Sequence, residues 1–194
     1  VDLRDVWSSL GHVVENVTVR SCGIGILVGS NAIIRNCIST NNAAEGIIAG
    51  NYAVVTECVA RENGWIGIAA NDGSIVSGCS VGQNASTGIL VGTDSTVEGC
   101  ASKSNLGHGI QGGNGSLVVS CTASANGLTG VYMLSDSTVT GCTVYRNTSD
   151  GIAVNSDCDV RNNNCSENGF GAGSGAGIVA SGSDIRRSEE RRVG

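Results

Sequence analysis

Six cysteines stand at Cys37, Cys58, Cys79, Cys100, Cys121 and Cys142, each 21 residues after the one before. A thiol that recurs can be a metal ligand, half of a disulfide, a nucleophile or a packing group. Structural zinc takes convergent thiolates, typically as close pairs, and no spacing in this row is that short. A catalytic thiol needs a base and a specialised environment, which six equivalent positions argue against. Disulfides between neighbours are allowed by backbone spacing, but stacked residues point their Cβ bonds in parallel and miss the required dihedral. Burial as a small hydrophobe is the reading that remains. Cys22, Cys158 and Cys165 lie off the row, and the last two continue rows of small residues.

The other reactive side chains do not converge. Glycoside hydrolysis asks for two carboxylates on one face, whereas Glu45 and Glu98 fall on different faces and Glu62 sits at a corner beside Asn63. His108 and Asp150 share a row two repeats apart, too far for a direct hydrogen bond. Asp94, Asp136 and Asp157 share another row, interrupted by Gly115, and read as turn formers. Trp65, Tyr132 and Tyr145 are the candidates for stacking on sugar rings, since such side chains join an apolar body to a polar tip. Covering the solenoid edge is the plainer role for all three. No catalytic set is assigned, and no metal or cofactor is expected.

The period that spaces the cysteines organises the whole chain. Glycine recurs at 25, 46, 67, 88, 109, 130 and 151, followed by Ile26, Ile47, Ile68, Ile89, Ile110, Val131 and Ile152. A second apolar row runs through Ile34, Val55, Val76, Val97, Val118, Val139 and Val160. Asparagine fills Asn42, Asn63, Asn84, Asn105, Asn126, Asn147 and Asn168. Within one repeat, Gly88–Gly107, apolar and polar residues alternate in short runs separated by turn residues. Three strands and three corners fit in that length, and no helix does. Rows of one type point inward. The asparagines form a corner ladder, using the tolerance of Asn for left-handed backbone and the pairing of its amide with the next coil. The glycine row permits positive φ or close approach.

These rows predict an all-β chain: a parallel β-helix of 21-residue coils, about seven to eight in number, over residues 11–183. Glycine-isoleucine, valine, then a corner residue and asparagine resemble the right-handed parallel β-helix repeats of pectate-lyase-like proteins. The resemblance implies a right-handed, single-stranded solenoid. It also implies that enzymes of the group carry clustered Asp for calcium with an Arg or Lys base, and no such acidic cluster appears. The cysteine row occupies a bend where the group often has Asn, and Asn16 and Asn163 stand in that row at its ends. Val13 keeps the valine register, and residues 1–10 are a partial coil or cap. After Asn168 the glycine-isoleucine pair arrives five residues late, as Gly177-Ile178, so a loop is inserted there.

Composition sets the outer limits. The chain has 30 glycines, no proline and 3% aromatics, which suits strands and lacks the aromatic anchors of an ordinary core. A net charge of −6 disfavours nucleic acid and anionic membranes as partners. No apolar run is long enough to insert in a bilayer, and no signal peptide is visible. The closing octapeptide RSEERRVG breaks the composition and reads as the translation of a sequencing adapter. A metagenomic fragment with a non-native, disordered tail over 184–194 is therefore expected, the other reading being a natural charged tail. Five N-x-S/T sites are incidental to the turns.

Function is expected on the outward rows. The leading expectation is a non-catalytic segment of a larger extracellular or cell-surface protein, a rigid scaffold for adhesion or polysaccharide binding. The first alternative is a piece of a polysaccharide lyase or glycoside hydrolase whose active coils lie elsewhere. The second is a phage tail or spike scaffold, which would be trimeric. The oligomeric state does not follow from the sequence.

Overall fold

The computed structural model describes residues 2–3, 11–169, 175–186 and 188–191. They wind into a solenoid with three strands per coil. The repeat Gly88–Gly107 becomes strands Ile89–Val91, Thr96–Glu98 and Ala101–Lys103. Equivalent strands of successive coils pair in parallel, which gives three sheets of nine strands each. The first sheet includes Ile26–Val28 through Ile178–Ala180, the second runs from Val13–Glu15 to Asp184–Arg186, and the third from Thr18–Arg20 to Glu189–Arg191. Eight steps at the strand spacing make a rod about 38 Å long.

Strand polarity explains which rows are core. First-sheet strands bury both ends, so Ile89 and Val91 point inward and Leu90 outward. Second- and third-sheet strands of the interior coils bury the middle residue, as at Val97 and Ser102, and Thr122–Ser124 buries Ser124 as well. The columns from Ile26 to Ile152 and from Ile34 to Val160 are fully buried, each such aliphatic side chain contributing ~1.5–3 kcal/mol of burial. Gly112 interrupts the inward column between Val91 and Met133. A Cβ there would lie 2.8 Å from the Met133 sulfur, so the flexible thioether fills the place a side chain would take.

All three corners are built the same way. A left-handed residue turns the backbone, and the next residue sends its side chain inward. In one coil these pairs are Asp94-Ser95, Gly99-Cys100 and Ser104-Asn105, with φ of 54°, 59° and 57° at the first member. Left-handed backbone was expected at the ladder asparagines; it belongs to the residue before each of them. The inward side chain then accepts a backbone N–H from the preceding coil. Asn84 N–H donates to Asn105 Oδ1 (3.1 Å), Cys79 N–H to Cys100 Sγ (3.4 Å) and Ser74 N–H to Ser95 Oγ (3.1 Å). Without these acceptors each interior amide would be unsatisfied. The glycine row resolves to close approach: a Cβ on Gly46 would stand 2.6 Å from both Asn63 Nδ2 and Gly67 O.

Both ends depart from the 21-residue register. Val13 pairs with Ile33 and Val14 with Ile34, a step of 20. Val14, not Val13, is therefore in the core, and Val13 is 56% exposed. The same step moves Asn16 out of the cysteine row and onto the left-handed position beside Asn36, whose Nδ2 donates to Asn16 Oδ1 (2.7 Å). Val17 takes the place below Cys37, its carbonyl accepting from Ile38 as that of Cys37 accepts from Val59. At the far end Ile152 pairs with Ile178, which accommodates the inserted loop; residues 170–174 lie outside the described residues. Where a disordered tail was expected, Asp184–Arg186 and Glu189–Arg191 are strands. They pair with Asp159–Arg161 and Asn164–Ser166, because the last full coil offers open backbone edges there. Of residues 1–10, Asp2–Leu3 forms a strand against Leu27 and Val28, and the others lie outside the described residues.

Candidate functional site

The solenoid distributes its aromatic side chains instead of gathering them. Trp65 projects from the corner after Asn63 and is exposed. Tyr132 is the outward residue of first-sheet strand Val131–Met133, and Tyr145 ends third-sheet strand Thr143–Tyr145. Arg61, on the strand leading to Trp65, is four paired steps from Tyr145, about 19 Å. The three rings therefore form no common platform. Tyr52, which the sequence reading passed over, is 65% exposed and held at φ 57°. Its ring lies over Gly73, where a Cβ would come within 2.6 Å of Tyr52 Cδ1.

Tyr132 has a partner on its own face. It stacks on His108, with ring centroids 5.2 Å apart and planes at 19°. Burial lowers the His108 pKa, partly offset by a hydrogen bond at the Thr129 backbone, and its Nδ1 is buried with no hydrogen-bond partner. Asp150 stays two coils away, and its Oδ1 accepts instead from Ala176 N–H (2.8 Å). Among the described residues no group of three His, Cys, Asp or Glu side chains comes together as a metal would require. Asp94, Asp136 and Asp157 all occupy left-handed corner positions.

The cysteine row lies inside the wall. Cys37, Cys58, Cys79, Cys100, Cys121 and Cys142 are buried thiols. Each sulfur is more than packing volume: Cys100 Sγ accepts from Cys79 and donates to the carbonyls of Val76 (3.5 Å) and Glu98 (3.3 Å). Asn163 ends the row and accepts from Cys142 N–H at 2.9 Å, so amide and thiol serve one purpose there. The asparagine ladder runs likewise, Asn126 Nδ2 to Asn147 Oδ1 at 2.9 Å and Asn147 Nδ2 to Asn168 Oδ1 at 2.9 Å.

A depression opens on the third sheet. Arg61, Gly82 and Lys103 are register neighbours on three successive strands. Gly82 has no side chain, so a hollow of about 400 Å³ is left between the two cations, lined also by Ser80, Gln83, Ala101 and Ser104. A second hollow of about 500 Å³ adjoins it at the corner and shares Gln83. There Glu62 accepts from Asn41 Nδ2 at 3.0 Å. The ion pairs among the described residues join Arg35 to Glu15, Arg146 to Glu167, Arg161 to Asp159 and Arg186 to Asp184; Arg61 and Lys103 are in none of them. The signal was present in the sequence as a glycine between two cations at 21-residue steps in an outward row. Also missed was an outward apolar column on the second sheet: Val13, Ile33, Val54 and Ile75, with Leu117 further along.

Comparison with known proteins agrees with this architecture. The family model described as "Right handed beta helix region" matches residues 6–137 and 110–189. The chain belongs to the right-handed β-helix family. Among solved structures, this β-helix is similar to the mannuronan C-5 epimerase AlgE4 A-module of Azotobacter vinelandii, with TM-score 0.70 and 17% identity over 93% of this chain and 56% of that one. A T265N mutant of the periplasmic alginate epimerase AlgG gives TM-score 0.67 and 15% identity, covering 90% of the β-helix and 58% of its own chain. Pectate lyase Pel9A gives TM-score 0.57 and 13% identity, covering 80% and 55%. At such identities the likeness is one of fold. The β-helix spans a little over half the length of each of these structures. No curated protein sequence matches it.

Proposed function

We propose that this β-helix is a rigid polysaccharide-binding segment of a larger extracellular or surface protein, and that it binds without turning its ligand over. The hollow at Gly82 carries the reading. It is an open recess on a sheet face, lined by Ser80, Gln83 and Ser104 as well as Val81 and Ala101, and flanked by two cations that no ion pair among the described residues occupies. A recess of this kind admits a sugar unit of a longer chain, where a small-molecule site would be concave and mostly apolar. The names of the structural neighbours, epimerases of mannuronan and alginate and a lyase of pectate, support a glycan as the ligand. A glycan array combined with a product assay tests the proposal. Binding with no product is expected, and product from the segment alone overturns the non-catalytic part.

One observation favours a second reading. His108 and Tyr132 form an acid-base-capable pair stacked on the outer face of the first sheet. The pair would suit a piece of a polysaccharide-modifying enzyme whose remaining groups lie outside this chain. Restoring the neighbouring coils should then give a glycan-modifying activity that His108→Gln abolishes while binding persists.

A further inference from the structure

We infer that the third-sheet column Arg20–Thr40–Arg61–Gly82–Lys103 is a track for a linear polyanionic glycan, which lies along the solenoid axis with anionic groups at alternate coils. This rests on the polysaccharide reading above and adds the charge class and the direction of the chain. The five residues are consecutive register partners across five strands. Cations therefore stand on every second strand, ~9.6 Å apart by strand spacing, with the smaller Thr40 and Gly82 between them. The outward column beside it, Thr18, Ile38, Val59, Ser80 and Ala101, contains no carboxylate. On the adjoining corner Glu62 is engaged by Asn41.

The spacing selects a polymer. A compact anion can meet one cation only, whereas an extended 1,4-linked chain in a two-fold form presents every second substituent on the same side. Guanidinium offers a planar fork to a carboxylate or sulfate, and ammonium a point charge. Each contact is solvent-exposed and weak on its own, so affinity must come from simultaneous engagement along the track. The protein bears a net charge of −6, which makes a line of cations that stands in no ion pair among the described residues all the more selective for where a polyanion can settle.

Titrating the protein with defined oligosaccharides tests this: a polyuronate series, a sulfated series and an uncharged series of matched lengths. Affinity should climb with length as a second and then a third cation is reached, and fall with added salt. Arg61→Gln combined with Lys103→Gln should weaken binding roughly tenfold, the loss of two charge-assisted contacts. Arg161→Gln, on the second sheet, should leave it unchanged, and circular dichroism should show all variants folded. Preference for the carboxylated or the sulfated series would name the source, and either supports the track. Equal binding of uncharged chains, or full binding by the double variant, overturns the track and leaves the polysaccharide reading standing. Failure to bind any glycan overturns both.

Discussion

A thiol in this wall is an acceptor first. Cys100→Ala removes both the buried volume and the sulfur that receives the Cys79 N–H. A loss of about 1–2 kcal/mol is expected, with faster hydrogen exchange at the Cys79 amide and unchanged glycan binding. Hydrogen bonding with Cys100 and Cys58, and burial, push the Cys79 thiol up, so it stays protonated at neutral pH. Cys22 is exposed at the end of the asparagine ladder, where its N–H donates to Asn42 Oδ1 at 3.0 Å. A thiol reagent should therefore modify Cys22 in the native protein and reach the row only on unfolding; rapid native labelling of Cys79 would contradict this. His108 adds a pH dependence. Burial depresses its pKa, so the unfolded chain takes up a proton near the ordinary value of 6.5 while the folded one resists it. Stability should be full above that pH and decline as pH falls below it, and His108→Gln should flatten the denaturant midpoint between pH 7.5 and pH 5.5 (about one unit either side of that value).

Within a coil the corner decides more than the strand. Asn84→Ala leaves Asn63 without the acceptor for both its backbone N–H and its Nδ2. A cost of ~1–3 kcal/mol is expected in urea unfolding, and an unchanged midpoint would deny the ladder its role. The corners also show what the sequence displays and what it conceals. The period, the inward rows and the inserted loop are visible because each inward column repeats one kind of residue. The 20-residue first coil is not, since Val13 and Val14 satisfy either register equally well. The left-handed positions are concealed too. They hold Asn, Glu, Gln, Ser, Asp, Gly, Ala125, Arg146 and even Tyr52, because the outward side chain is free to vary and only the backbone is constrained. The hollow at Gly82 is an absence of side chain, so it becomes visible only when its flanking cations are placed in register.

Along the whole molecule stability is close to one-dimensional. Each coil touches only its neighbours, so terms add along the axis and the ends have one partner where the middle has two. Amide exchange should be slowest in the coils around Ile68–Val118 and fastest in the outermost strands at either end. Uniform protection from end to end would show a cooperativity beyond nearest neighbours.

The left-handed residue followed by an inward acceptor has one more consequence. The coil that holds Ser95, Cys100 and Asn105 gives a lone pair to the coil before it and draws one from the coil after it at each of its three corners. A copied stretch of chain would carry both halves of every joint. Inserting a second Gly88–His108 after the first should therefore lengthen the rod by one strand spacing and create no contact of a new kind. The design is modular in the way a zip is: its length can be set by duplication, independently of whatever its outer face is used to hold.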